Sequence, residues 1–492
     1  MNFEDYASLD GLGLAGLVRS GATSASELRA TALEFVTEAN PGLNMMAEIF
    51  EKLPPIEQPA GRDAPFYGVP GAFKDIALYF EGLKYEFACE LARGLRMKGT
   101  SVTAAQLAGA GFSLLGRTTT PELGIGCDTV SSMCGQTRNP RDLSRTPGGS
   151  SGGSAALVAS GCVPVAHGSD SLGSLRIPAH CCGVIGLKPP RGLGSRAPGW
   201  GGFGDLSVNH VLTRSIRDSA AMLDVFTTAD SGGMPSISAP GRGYLAGAEG
   251  PLPRLDIASI ALTHASTSCD ATVRAAEQWT ICALKAAGHR VTEYHVDLSL
   301  DDLAEALAVV VACNQARAIR NIAHTMDREI RPDMLESAAR ACLDYEREIA
   351  TTELFAALDR FNELSRRLNQ LTETFDILMM PTCTQVAPPI GHLALEPHFQ
   401  SGSARDGLNA AMRSALDFIY LCPAFNISGQ PSLSFPLWPE GATLPVGMQF
   451  VASLTNSTTL LQLGRQLEQI APLRAPARCT SGPSDEMERN DV

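Results

Sequence analysis

Seven consecutive residues, Gly148-Gly149-Ser150-Ser151-Gly152-Gly153-Ser154, constrain this chain more than any others. Four glycines free the backbone of side chains there, and three serines supply hydroxyls at fixed places. Residues 139–147 (NPRDLSRTP), just before the run, are polar and carry two prolines, which argues for a loop rather than a central strand. Residues 154–161 (SAALVASG), just after it, are apolar and form helix well. The glycines are therefore read as a tight loop drawn against the next element, in preference to a solvated Gly/Ser linker.

Two other readings of the run make different chemical demands. Gly148, Ser150 and Gly152 satisfy G-x-S-x-G, but a nucleophile elbow needs a strand before the serine and an Asp and a His after it. A phosphate cradle needs a Lys-Ser/Thr pair after the glycines, and none follows. A second loop-like stretch lies downstream, Gly168-Ser169-Asp170-Ser171-Leu172-Gly173-Ser174-Leu175-Arg176-Ile177-Pro178, and Lys74 stands upstream. A serine hydroxyl is a weak nucleophile until a base takes its proton, and lysine can be that base only when neutral. An exposed lysine titrates near about 10.4, and burial lowers that by disfavouring the charged form. Lys74 stands among Val69, Ala72, Phe73, Ile76, Ala77 and Leu78, a context that buries a side chain. The competing readings are a lysine that snorkels to water or pairs with Asp75.

The stretch from Thr137-Arg138-Asn139-Pro140 to Gly153, then Asp170 to Pro178, then GVIGLKP at 183–189, resembles the amidase signature family of serine hydrolases. GVPGAFKD at 68–75, GRTTTPELG at 116–124, DILMMPT at 376–382, PAFNISGQPSLSFP at 423–436 and PVGMQ at 445–449 extend the match in the family's order. The resemblance covers residues 7–472 and implies an α/β/α sandwich, a large mixed central sheet flanked by helices. It also implies a triad: Ser174 as nucleophile, Ser150 as a bridging serine after a cis peptide, and Lys74 as base. The backbone N–H groups of Ser171, Leu172, Gly173 and Ser174 would face the oxyanion, each worth about 3–4 kcal/mol. Asp170 and Arg176, six residues apart across a tight turn, are expected to pair and support that loop. Gly124, Ile125, Gly126 and Cys127 occupy the segment that runs beside the scissile carbonyl in the family.

Leu172 departs from the family pattern, which has two glycines before the nucleophile. That departure and the Ala166-His167-Gly168 lead-in resemble the branch containing the 6-aminohexanoate cyclic-dimer hydrolases of nylon oligomers, with aryl acylamidases nearby. Linear or cyclic amide, anilide and carbamate all pass through one kind of tetrahedral intermediate, so the expected reaction is C–N bond hydrolysis through an acyl-enzyme on a small molecule. The alternatives are a urethanase or esterase acting on carbamate esters, and an amide-transferring subunit of a glutamine-dependent amidotransferase. That subunit's lysine-proline-threonine-tyrosine context is not kept, since the chain reads Lys188-Pro189-Pro190-Arg191.

Thirteen cysteines without repeated spacing, and an acidic N-terminus (MNFEDY) with no apolar secretory segment, predict a cytoplasmic protein with free thiols. No Cys or His spacing fits a metal site, and no cofactor is expected. Cys313, in the apolar helical stretch 303–316, is a candidate for the substrate pocket. A net charge of −13 argues against nucleic acid or anionic membrane as a partner and leaves a monomer or homodimer. Residues 146–169 lack Asp, Glu, Lys and Arg but are too rich in Gly, Ser and Pro to span a bilayer.

One domain over 1–474 is expected, with a signature core at 65–195 and a substrate-covering region at 223–420. A mobile rim at 192–204 would carry Trp200 and Phe203, and a polar, disordered tail would follow from 475. Helices are read at 24–40 behind the capping box SASE, at 102–109, over 334–362 and at 458–470, and strands at 257–262, 377–380 and 448–451.

Overall fold

The structure is a computed structural model that describes residues 1–54, 60–195, 205–227, 237–263 and 269–479. Trp200, Phe203, most of the expected rim and residues 480–492 lie outside the described residues.

The chain forms strands β1 (Met46–Ile49), β2 (Pro70–Lys74), β3 (Ser113–Thr118), β4 (Val130–Ser131), β5 (Gly135–Gln136), β6 (Val165–Asp170) and β7 (Ile185–Lys188). These are followed by β8 (Val208–Thr213), β9 (Asp256–Leu262), β10 (Arg290–Val296), β11 (Ile377–Pro381), β12 (Ser432–Leu437) and β13 (Val446–Val451). Strands β4 and β5 make a small ribbon, and the other eleven form one sheet in the order β1-β3-β2-β6-β8-β7-β12-β13-β11-β9-β10. Pairing is parallel through β3-β2-β6 and β11-β9-β10 and antiparallel through the middle, so the sheet is mixed. Helices lie on both faces. Every residue of β2, β3, β6, β7, β11, β12 and β13 is buried, because both faces of those strands are covered.

Local signals explain several boundaries. Ser24 and Glu27 form the expected capping box, but the helix they open, Ala25–Leu43, runs past Asn40 and includes Pro41. Asn40 keeps the exit ordered: its Oδ1 accepts the N–H groups of Met45 and Met46. Residues 139–147 form a loop with only isolated bridges, so no strand precedes the serine run and the elbow reading falls. The pattern over 334–362 resolves into two helices, Ser337–Glu346 and Thr351–Thr374.

The region 223–420 is only partly cover, since it supplies β9, β10 and β11 to the sheet. The cover is the helical set Leu300–Met326, Ser337–Glu346, Thr351–Thr374 and Ala404–Ile419, joined by a shared apolar cluster that includes Leu307, Val310, Tyr345, Phe361 and Leu416. Residues 475–479, expected to be disordered, instead lie on the body: Ala477 N–H donates to Ala159 O, and Arg141 donates to Ala475 O. Among the described residues no helix is long and apolar enough to cross a membrane. All thirteen cysteines are free.

Candidate active site

The parallel neighbours β2 and β6 end at the same edge of the sheet, and this brings Lys74 close to Ser169 and Asp170. In open α/β sheets, ligands gather at such carboxyl ends. The serine loop, which leads into the helix Gly152–Ala159, closes over this edge. Its glycines allow backbone-to-backbone approach: a Cβ on Gly149 would sit 2.6 Å from Asp128 O, and one on Gly153 would sit 2.6 Å from Thr119 N. The Gly149–Ser150 peptide is cis, and Thr120 Oγ1 donates to Ser150 O at 2.9 Å.

Lys74 is fully buried, and its Nζ donates to Ser150 Oγ at 2.7 Å, Ser151 Oγ at 3.0 Å and Ser169 Oγ at 3.2 Å. Asp75 turns away from it, to Arg117 at 2.6 Å, so the Lys74–Asp75 pair considered from sequence does not form. Burial lowers the Lys74 amine from 10.5 to about 7, against the nearby charge of Asp170, which acts to raise it. Ser150 Oγ in turn donates to Ser174 Oγ at 3.0 Å, so one hydrogen-bonded chain links amine, inner hydroxyl and outer hydroxyl. With Lys74 neutral and both hydroxyls rotated so that Ser174 donates to Ser150 and Ser150 to Nζ, such a chain can carry a proton from Ser174 inward.

Beneath the loop 171–175, Asp170 and Arg176 pair in bidentate fashion, Nε to Oδ2 at 2.9 Å and Nη2 to Oδ1 at 3.0 Å. Arg176 also donates to Cys422 O at 2.9 Å, Gln449 Oε1 at 2.7 Å and Asn426 Oδ1, while Asn426 Nδ2 returns to Asp170 Oδ1 at 2.8 Å. Burial alone would raise the Asp170 carboxyl, but the Arg176 charge and these hydrogen bonds hold it well below the usual carboxylate range.

Asp170 also accepts the N–H groups of Gly173 at 2.7 Å and Leu175 at 3.2 Å. This corrects one expectation. The Gly173 N–H is directed down to the carboxylate and not toward an oxyanion, whereas those of Ser171, Leu172 and Ser174 have no acceptor among the described residues.

Ser150 and Ser174 open into a cavity of about 260 Å³. Gly124, Ile125, Gly126, Cys127, Ser171 and Leu172 line it, together with Tyr79, Tyr85 and Phe87 from the core and Val310, Met412, Leu416 and Ile419 from the cover. Cys313 does not line it. The cavity takes Val310, Asn314 and Arg317 from the same helix, which leaves Cys313 just beyond their arc, its thiol near Cys342 and Glu346. Among the described residues no group of three or more His, Cys, Asp or Glu could hold a metal ion.

Sequence reading missed Ser151, Ser169, Asn426 and Gln449 as part of this centre. The last two stand in the PAFNISG and PVGMQ motifs, whose polar side chains could have marked them.

The sequence profile of the family described as Amidase matches residues 30–461. The 6-aminohexanoate-cyclic-dimer hydrolases of Pseudomonas sp. (strain NK87) and Paenarthrobacter ureafaciens are each 32% identical over 482 residues, covering 94% of this chain and 95% of the relative. A solved structure of 6-aminohexanoate cyclic dimer hydrolase complexed with substrate superposes with a TM-score of 0.87 at 30% identity, covering 96% of this chain and 99% of that one. A bacterial aryl acylamidase shares the fold, with a TM-score of 0.79 at 22% identity, covering 94% of this chain and 96% of that one. With the match running through nearly the whole of the described fold, the chain belongs to the amidase signature family and is a hydrolase of amide-type C–N bonds.

Proposed function

We propose that the chain cleaves neutral, largely apolar amides through an acyl-enzyme on Ser174, with Ser150 as proton relay and Lys74 as base. The observation that carries this reading is the unbroken hydrogen-bond chain from a buried Lys74, its amine lowered to about 7, to the hydroxyl that faces the cavity. Ser174 Oγ attacks the carbonyl carbon as its proton passes to Ser150, whose own proton passes to Lys74 Nζ. The carbonyl oxygen becomes an oxyanion within reach of the N–H groups of Ser171, Leu172 and Ser174. When the C–N bond breaks, Lys74 returns its proton through Ser150 to the leaving nitrogen, which departs as a neutral amine. Water then adds to the ester by the same relay, giving the acid and restoring Ser174.

Ile125, Cys127, Leu172 and Ile177 form an uncharged wall of the cavity that Ser174 opens into, whose lining elsewhere includes the charged residues Asp205 and Arg317. A charged group pressed on that wall would lose its hydration without a partner, so the groups flanking the bond are read as uncharged. The cyclic dimer of 6-aminohexanoate, an aryl anilide and an aryl carbamate all satisfy this.

The test is hydrolysis of four substrates by the protein and by Ser174→Ala: an aryl amide, an aryl carbamate, a linear aliphatic amide and the 6-aminohexanoate cyclic dimer. Turnover of the neutral amides is expected to fall by about 10³-fold or more in the variant. Turnover that survives the substitution sinks the nucleophile assignment.

A further inference from the structure

We propose that Glu122 is a specificity-positioning residue, forming with the backbone N–H of Glu336 a buried clasp that seats the covering helices on the cavity wall and so sets substrate affinity. The proposal rests on the reading of the cavity as the substrate site, and Glu122 itself touches no reacting atom in that reading.

Glu122 is 3% exposed, and its Oε2 accepts the Glu336 N–H at 2.8 Å. Glu336 stands at the N-cap of the helix Ser337–Glu346 and sends its own Oε1 back to the Ser132 N–H at 2.6 Å. Two carboxylates thus cross in opposite directions between the core segment 122–132 and the cover. A carboxylate at a helix N-terminus meets unpaired N–H groups and the positive end of the helix dipole, so the site suits its charge.

The clasp sits where it can shape the cavity. The residues that follow Glu122 hold left-handed conformations, Leu123 at φ 52° and Gly124 at φ 73°, and then Ile125 and Cys127 form the wall. A side chain on Gly124 would stand 3.5 Å from Ser150 Oγ, so this segment passes directly beside the relay. Leu123 packs in one apolar cluster with Tyr85 and Phe87 of the cavity and with Ile319, Leu335 and Leu343 of the cover. That cluster can slide, because apolar contacts have little directionality; a buried hydrogen bond fixes its register.

Burial raises the Glu122 carboxyl to about 7. The groups facing it are Glu336, Cys89, whose thiol is hydrogen-bonded to it, and Arg340, whose Nη1 donates to Leu335 O at 2.6 Å. The charged form is the stronger acceptor, so the clasp tightens as pH rises through about 7 and loosens below it.

The experiment compares KM and kcat of Glu122→Ala, Glu122→Gln, Glu336→Pro and Glu122→Ala/Glu336→Pro, with the anilide or cyclic dimer as probe. Proline removes only the N–H donor and side chain of residue 336, whose φ of −71° suits it, and Leu335 at φ −133°, ψ 142° suits a residue before proline. Glu122→Ala is expected to raise KM about tenfold and Glu336→Pro, which also loses the Ser132 contact, at least as much, with kcat within about twofold in each and the double variant no worse than Glu336→Pro. Glu122→Gln keeps an acceptor oxygen and is expected to restore KM at pH 8 while abolishing its rise below pH 7.

A KM unchanged in both single variants, or penalties that add in the double variant, overturns the clasp. Loss of folding in Glu122→Ala is answered by Glu336→Pro, which probes the same bond from the other side; if both unfold while Glu122→Gln behaves as Glu122→Ala does, the clasp is purely structural and the proposal fails. An active Ser174→Ala would instead strike the catalytic reading, so the two failures are separable.

Discussion

The sharpest prediction concerns the acid side of the pH–rate profile, because it is where burial of Lys74 turns into rate. A lysine amine at its ordinary 10.5 is neutral in only about 0.03% of molecules at pH 7, whereas one lowered to about 7 is neutral in about half. The gain in competent base is about 1,500-fold, equivalent to about 4 kcal/mol, and its principal cause is desolvation. In the proposed relay the neutral amine accepts the proton, so kcat/KM is expected to rise with pH through about 7 and fall tenfold per unit below about 6.

The assay is kcat/KM from pH 5 to 9 on an uncharged anilide, chosen because it has no titrating group of its own. Three other buried groups lie in the same window, Glu122 and Asp218 at about 7 and Asp75 at about 6, all raised first by burial. The limb in kcat should therefore persist in Glu122→Gln and in Asp75→Asn. A profile flat from pH 5 to 8, a midpoint above 9, or a kcat limb that vanishes with Glu122→Gln would each refute Lys74 as the neutral base.

Two further substitutions probe the support of the loop. Asp170→Asn leaves the Arg176 guanidinium, fully buried, without its carboxylate, and should cost about 3–5 kcal/mol, seen as a lower urea midpoint at pH 7.5; an unchanged midpoint would mean that Asn426 and Gln449 suffice to hold Arg176. Gly173→Ala meets a φ of 122° and a Cβ 2.7 Å from Ile177 Cδ1, so the loop must shift, and kcat/KM is expected to fall about 100-fold or more in a protein with native circular dichroism. Activity near that of the unsubstituted protein would show that the loop tolerates a side chain there.

Legibility in the sequence followed the physical character of each element. Helices with an apolar stripe and a polar cap could be read closely: 102–109 is the helix Val102–Gly109, and 458–470 is Ser457–Ile470 less one residue. The wholly buried strands β2, β3, β6, β7 and β12 escaped, since their burial does not alternate and glycine or polar residues interrupt their apolar runs, whereas the equally buried β11 and β13 kept enough apolar run to be read. At the site, Lys74, Ser150 and Ser174 were legible because each stands in a motif of glycines, and glycines mark close approach of backbone. Ser151 and Ser169 are equally close to Lys74, but a serine beside a serine carries no signal of which hydroxyl turns inward. Gly173 misled for a related reason: its place before the nucleophile names a backbone donor, while the acceptor is settled by a side chain three residues earlier. Cys313 was assigned from helical context without knowing which arc of that helix faces the cavity.

The lowered pKa of Lys74 is a property of the whole buried centre rather than of the lysine. Asp170 is a full negative charge close enough to raise the amine, and left alone it would hold Lys74 as ammonium, useless as a base. Arg176 prevents this by pairing with both oxygens of Asp170, so that the two charges present to Lys74 a compact dipole instead of a carboxylate. Burial also disfavours charge on the nearby basic groups. Burial and the Arg176 charge hold Lys188 well below its ordinary range, and burial with the Lys74 charge lowers His167 to about 3. The centre is thus built around one satisfied ion pair, and desolvation is the largest influence on the amine's own state. Asp170 consequently serves two ends at once: it organises the loop through the N–H groups of Gly173 and Leu175, and it keeps the pKa of Lys74 from falling as far as burial alone would take it.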